Sequence, residues 1–297
     1  MQEYQSELVL DCKCRLGEGP AWFNNAYTER DNLWWVDLTG ESVHRFDPET
    51  GEHNVSDYED AITAVVPNRG RGVTFVTENG IASFAGPGEP LGYHVKPEEH
   101  LPRNRFNDAK CDPQGRLWAG TMSRHGEDET GSLYMIRPDG TYEKRVEHIT
   151  CSNGLAWHSD NRTFYYIDTP TLRVDAFDFD PETGNIANRR AVVTFPDGIG
   201  CPDGMTIDVD NKLWVGMWGG GAILHCDPET GEILGRVSVG AKNVTSCTFG
   251  GPSLTDLYIT TARDNTSDEE LAGLPYAGGL FVARTGAKGR STNAFGK

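Results

Sequence analysis

No stretch of about 18 apolar residues occurs in this 297-residue chain, so no membrane-spanning helix is expected. Basic residues are few: 27 Lys and Arg stand against 44 Asp and Glu, a formal net charge of −17. Nucleic acid is held through cationic contacts to phosphate, so this balance argues against such a partner, and the acidity reads as a solubilising surface. Cysteine is sparse and scattered, at Cys12, Cys14, Cys111, Cys151, Cys201, Cys226 and Cys247, with no C-x-x-C pair and no zinc-finger spacing. The N-terminus, Met1 to Glu7, is polar and acidic and is not expected to be a signal peptide. The cysteines are therefore read as reduced thiols of a cytoplasmic protein. Helical periodicity is nearly absent as well. The best exception is Ser267–Leu274, short and set in a loop.

What is present is repetition. Asp-Pro-Glu-Thr-Gly occurs three times, at 47–51, 180–184 and 227–231, each time after a strand-like segment. Pro presets φ at the second position and the closing Gly accepts φ > 0, so each copy reads as a hairpin turn with solvated acids. Six short aromatic or β-branched segments recur at spacings of 41 to 49 residues, marked by Trp34, Phe75, Trp118, Tyr165, Trp214 and Tyr258. Self-similarity at that period signals a repeat architecture. Six units of about 45 residues, each with room for four short strands, predict an all-β, six-bladed β-propeller over residues 1–297 as one domain. The last repeat lacks a fourth strand after Leu280–Ala283. Glu7–Leu10 is expected to supply it, closing the ring and removing an open edge.

With the repeats in register, the residues just before each first strand can be compared. Glu18, Asn107, Asn153 and Asp203 fall at equivalent positions in four blades, once the insertion Asn24–Glu29 is allowed for, and are expected to point at one axis. They are two carboxylates and two amides, and clustered carboxylates repel unless a cation lies between them. Oxygen-only donors suit one divalent metal, calcium first, with magnesium and manganese next.

The motifs at these residues are Leu16-Gly17-Glu18-Gly19-Pro20, Arg105-Phe106-Asn107-Asp108, Ala119-Gly120-Thr121-Met122, Ser152-Asn153-Gly154-Leu155, Pro202-Asp203-Gly204-Met205 and Thr245-Ser246-Cys247. In identity and order they resemble the SMP-30/gluconolactonase family, the regucalcin-like sugar lactonases. The resemblance implies metal-dependent hydrolysis of an aldonolactone, of the glucono-, xylono-, arabinono- or galactonolactone class. Zinc and iron join the metals it allows. It assigns Glu18, Asn153 and Asp203 to the metal, Asp203 also to the general base, and Arg105 and Asn107 to substrate hydroxyls. One departure stands out: Ser123-Arg124-His125 occupies a loop where regucalcin carries acidic residues. His125 or Arg124 is expected to meet the sugar chain end there, and Trp218, in Met217–Gly221, to stack on the sugar ring. Asp264 and the Thr266–Leu271 segment are expected at the same rim as a partial lid. The expected partner is a small sugar lactone, with no nucleic acid and no membrane, for a monomer or weak homo-oligomer. A calcium-dependent propeller esterase or phosphotriesterase, and a non-catalytic calcium-binding regulatory protein, stay open as alternatives.

Overall fold

The computed structural model describes residues 1–24, 28–70, 72–84, 90–126 and 129–296. Residues 25–27 of the expected insertion lie outside the described residues. The chain begins with two short strands, β1 (Gln2–Gln5) and β2 (Glu7–Leu10). The first sheet is β3 (Gly17–Phe23), β4 (Asn32–Asp37), β5 (Ser42–Asp47) and β6 (Glu52–Asp57). The second is β7 (Ile62–Pro67), β8 (Val73–Thr77), β9 (Gly80–Ser83) and β10 (Gly92–Val95). The third is β11 (Asn104–Cys111), β12 (Leu117–Ser123), β13 (Gly131–Ile136) and β14 (Tyr142–Ile149). The fourth is β15 (Ser152–Trp157), β16 (Thr163–Asp168), β17 (Arg173–Phe179) and β18 (Ile186–Thr194). The fifth is β19 (Cys201–Ile207), β20 (Leu213–Trp218), β21 (Ala222–Cys226) and β22 (Ile233–Ser238), with β1 added parallel to β22 as an outermost strand.

The sixth sheet has three consecutive strands, β23 (Asn243–Gly250), β24 (Asp256–Ala262) and β25 (Leu280–Ala283). β2 completes it antiparallel to β25, with Leu8 opposite Phe281 and Leu10 opposite Leu280. The first strands of the six sheets pack on one another in a closed circuit: β3, β7, β11, β15, β19, β23 and back to β3. This is a six-bladed β-propeller closed by an N-terminal strand, as the repeat predicts.

Among the described residues, each blade interface holds one apolar cluster. Between blades three and four, for example, Trp118, Leu133 and Met135 meet Leu155, Phe164 and Tyr166. Five of the aromatic markers face alike: Trp34, Trp118, Tyr165, Trp214 and Tyr258 each lie in or against the cluster their blade shares with the next one. Phe75 is the marker one position out, since it lies in the cluster shared with the preceding blade. In Val73-Thr74-Phe75-Val76 both faces of the strand are buried, so an aromatic residue alone does not fix which face it takes.

Two of the turns after inner strands repeat one construction. Asp112 Oδ1 accepts the backbone N–H groups of Gln114 and Arg116, and its Oδ2 accepts the Trp118 indole at 3.0 Å. Asp208 does the same for Asp210, Lys212 and the Trp214 indole, again at 3.0 Å. One buried carboxylate thus caps the turn and aims the tryptophan into the blade interface.

Past β25, the tail crosses the face that carries these turns. It pairs at Asp208 with Gly289 and at Asn68 with Phe295, and Gly296 donates to the Gly115 carbonyl. A cavity of about 90 Å³ on the axis is floored by Arg290–Asn293. The opposite mouth of the axis is where the inner strands begin. The one α-helix among the described residues, α1 (Asp268–Gly273), stands on that rim in the expected loop, its start fixed by a reciprocal Ser267–Glu270 capping box.

Candidate active site

Every inner strand carries a β-bulge near its start. The pairing with the second strand skips between Glu18 and Ala21, Ile62 and Ala64, Phe106 and Ala109, Asn153 and Leu155, Pro202 and Met205, and Val244 and Ser246. A bulge inserts an unpaired residue and re-aims side chains, and here it does so six times around one axis. Asn107, Asn153 and Asp203 each stand two residues before pairing resumes, and Glu18 stands three before. The glycines that follow two of them are strand residues, not turn residues. A Cβ on Gly204 would lie 2.2 Å from Ser246 Oγ, and one on Gly154 would lie 2.9 Å from the Asp203 carbonyl oxygen. Asn-Gly and Asp-Gly are needed here because neighbouring inner strands approach too closely for a side chain.

Burial and mutual charge govern the carboxylates. The Glu18 carboxyl is pushed up to about 8, by loss of solvent first and then by the charge of Asp108, against a weaker pull from the Gly19 N–H and Arg105. Asp203, 5% exposed, is raised well above the ordinary range by burial, then by Glu18 and Asp108. Asp108 lies on the axis deeper than these two and is raised by burial, with Lys110 opposing the shift. The Lys110 ammonium donates to the Met205 carbonyl at 2.7 Å. Three carboxyl groups therefore share one poorly solvated region with partial cationic compensation, an arrangement that favours either protonation or a bound cation.

The amides form a relay across three blades. Arg105 Nη1 donates to Asn107 Oδ1 at 2.8 Å, and Asn107 Nδ2 donates to Asn153 Oδ1 at 3.0 Å and to the Ser152 carbonyl at 2.8 Å. Asn153 Nδ2 donates to Thr169 Oγ1 at 2.7 Å, and the Thr169 hydroxyl donates to the Pro202 carbonyl at 2.8 Å. Asn153 Nδ2 also donates to Cys151 Sγ at 3.6 Å, so both its donors are used, and the oxygen that accepts from Asn107 is the side-chain atom with a lone pair to spare. Thr169 follows β16 in the sequence Asp168-Thr169-Pro170, and its hydroxyl has no periodic signal that sequence reading could have found.

The structure brings Glu18, Asp203, Asn153, Asn107 and Arg105 together. It places His125 and Trp218 on the same rim but farther out. His125 is an exposed loop residue whose backbone N–H bonds to Ser123 Oγ at 3.2 Å. Trp218 ends β20 opposite Cys201 and is half-buried. Arg124 is already engaged, by Glu78 and by Asn79 Oδ1 of the second blade. The expected lid segment is pinned: Asn243, 1% exposed, donates to the Asp264 carbonyl and Thr266 Oγ1 while its oxygen accepts the Gly219 N–H. Asn243 therefore couples the lid segment to the loop after Trp218, a role invisible before the blades were placed side by side.

Comparison with known proteins agrees with this geometry. A protein of Bacillus subtilis (strain 168), which carries the provisional name sugar lactone lactonase YvrE, is 39% identical over 277 residues, 93% of this chain and 94% of that protein. Regucalcin of Xenopus laevis is 35% identical over 301 residues, 99% of each chain. The crystal structure of a calcium-binding protein, regucalcin, from Agrobacterium tumefaciens superposes with a TM-score of 0.92 over all of both chains at 25% identity. The sequence profile of the SMP-30/Gluconolactonase/LRE-like region matches residues 16–263, which holds all six bulged strands and the whole oxygen-rich cluster on the axis, and the chain belongs to that family.

Proposed function

We propose that the protein hydrolyses a sugar aldonolactone to the aldonic acid at the axial site, with one divalent cation. The observation that carries this reading is the convergence of Glu18 and Asp203, both raised first by burial, Glu18 then by the charge of Asp108 and Asp203 by those of Glu18 and Asp108, with the Asn107–Asn153 amide pair as further oxygen donors. That donor set fits a hard divalent cation, for which calcium is the first choice by ligand type. The names of the relatives support the same reading: one is a sugar lactone lactonase by its provisional name, another a calcium-binding regucalcin.

Glu18, Asn153 and Asp203 would hold the cation. Bound there, it supplies the positive charge that polarises a lactone carbonyl and stabilises the developing oxyanion. Asp203 accepts the proton of the attacking water and returns it to the ring oxygen as that bond breaks. Asn107 and Arg105 hold hydroxyl groups of the substrate. The bond of Arg105 to Asn107, and of Asn107 to Asn153, fixes that geometry in advance, which is positioning rather than proton transfer. Trp218 and His125, farther out on the rim, are assigned to the sugar ring and its chain end.

The test is a pH-stat screen of glucono-, xylono-, arabinono- and galactonolactone on chelated protein, before and after each of Ca²⁺, Mg²⁺, Mn²⁺, Zn²⁺ and Fe²⁺ is returned. Cation-dependent turnover of at least one lactone is expected, and Asp203→Ala should lower kcat by about 10²- to 10⁴-fold. Full activity in Asp203→Ala would remove its assignment. Turnover of paraoxon but of no lactone would favour a propeller phosphotriesterase, and calcium binding with no turnover a regulatory role.

A further inference from the structure

We propose that Cys12, Cys14 and His44 form a second metal site, for a thiophilic ion of the Zn²⁺ or Cu⁺ kind, at the seam where the propeller ring closes. Their ligand atoms lie within 4.8 Å of one another, and Cys14 Sγ is 3.8 Å from His44 Nε2. Two sulfurs and one imidazole nitrogen around a tetrahedral zinc stand roughly 3.5–3.8 Å apart, given Zn–S near 2.3 Å and Zn–N near 2.0 Å. The side chains therefore need only small rotations to converge on an ion.

The surroundings of His44 are those of a ligand. Its Nδ1 bonds to His53 Nε2 at 3.0 Å, which leaves Nε2 to face the sulfur. A ligating histidine is commonly oriented through its second nitrogen in this way. Trp35 stacks on both rings, with centroids 4.8 Å from His44 and 5.4 Å from His53, and locks the pair in place. Without an ion, the Ser42 hydroxyl contacts Nε2 at 3.2 Å. Cys14 and His44 are buried, whereas Cys12 is partly exposed. The exposed side gives an entry path and room for a fourth ligand from solvent. Sulfur donors separate this site chemically from the axial one, whose donors are oxygens.

Its position gives it a job. Cys12 and Cys14 lie on the short connection between β2, which completes the sixth blade, and β3, which begins the first. The Cys14 N–H and the Cys12 thiol both bond to the Gly278 carbonyl, just before β25. His44 is on β5 of the first blade. An ion held by all three would clasp the closing strand to the first blade and release the two thiol protons on binding.

Co²⁺ is the probe, added to the reduced full-length chain. A thiolate-to-cobalt charge-transfer band is expected, saturating at one ion per chain and displaced by Zn²⁺ or Cu⁺. Cys12→Ser and His44→Gln should each weaken it at least about ten-fold, while Cys151→Ser, whose thiol lies beside the axial site, should leave it intact. In the unaltered protein, Zn²⁺ should slow alkylation of Cys12 but not of Cys201, read by peptide mass. Absence of the band, its persistence in a Cys12→Ser, Cys14→Ser double variant, or alkylation of Cys12 unchanged by Zn²⁺ would overturn the proposal.

Discussion

Glu18 and Asp203 make the metal-free protein sensitive to alkaline pH. The Glu18 carboxyl moves from an ordinary value of 4.5 to about 8 on folding, so between those values the folded chain holds a proton that the unfolded chain has lost. The stability from that proton is complete below pH 4.5 and disappears as pH rises through 8. Chelated protein should show a falling Tm across this window, and added cation should restore it at the upper end; a flat profile in both conditions would contradict the assignment. Thr169 gives a second prediction at this scale. Thr169→Val removes the acceptor that orients Asn153 and should cost about 10- to 100-fold in cation affinity with the fold intact, measured by calorimetric titration. Both carboxylates were legible in the sequence because they recur at one register position. Thr169 was not, since its value lies in reaching across to Pro202, 33 residues away, and nothing local marks such a contact. Cys12 and Cys14 were read only against the C-x-x-C spacing, and His44 joins them only once the first blade has folded.

Turns and strands are held by repeated local chemistry, which explains why so much of their layout could be read early. In each Asp-Pro-Glu-Thr-Gly copy the closing glycine has φ of 76°, 74° or 78° and donates its N–H back to the first Asp carbonyl. Such a turn is dictated by five consecutive residues. The Asp112 turn is more demanding, because its carboxylate also takes Arg116 Nε at 2.6 Å while Arg116 reaches the Pro181 carbonyl at 3.0 Å. That arginine joins the third blade to the repeated turn of the fourth. Asp112→Ala would strand a buried guanidinium and an indole N–H, and should cost about 3–5 kcal/mol in denaturant unfolding; a loss under about 1 kcal/mol would show that the turn holds itself. The bulges were the part of the inner strands that composition could not announce. Their residues, among them Glu18-Gly19-Pro20 and Asp203-Gly204, read equally well as ordinary turns until their pairing partners are known.

For the whole molecule, the ring depends on β2. Removing residues 1–10 exposes the edge of β25 and uncovers Leu280 and Val282, so the truncated chain should unfold at markedly lower denaturant and self-associate. Light scattering and urea titration check this, and unchanged values would mean the ring tolerates an open seam. The N-terminal strand was foreseeable because a three-stranded last blade is an incomplete unit. β1 beside β22 and the tail over the axis were not, since neither carries the repeat. The closure has a further consequence, for synthesis rather than stability. Leu10 finds its partner only when Leu280 has been made. At usual elongation rates the N-terminal strand must therefore wait on the order of tens of seconds, unpaired, while five blades form behind it. For that interval Glu7-Leu8-Val9-Leu10 is an uncommitted apolar strand outside the ribosome. Chaperone occupancy of nascent chains should end when the last blade emerges, and a seam clasp would act at that moment.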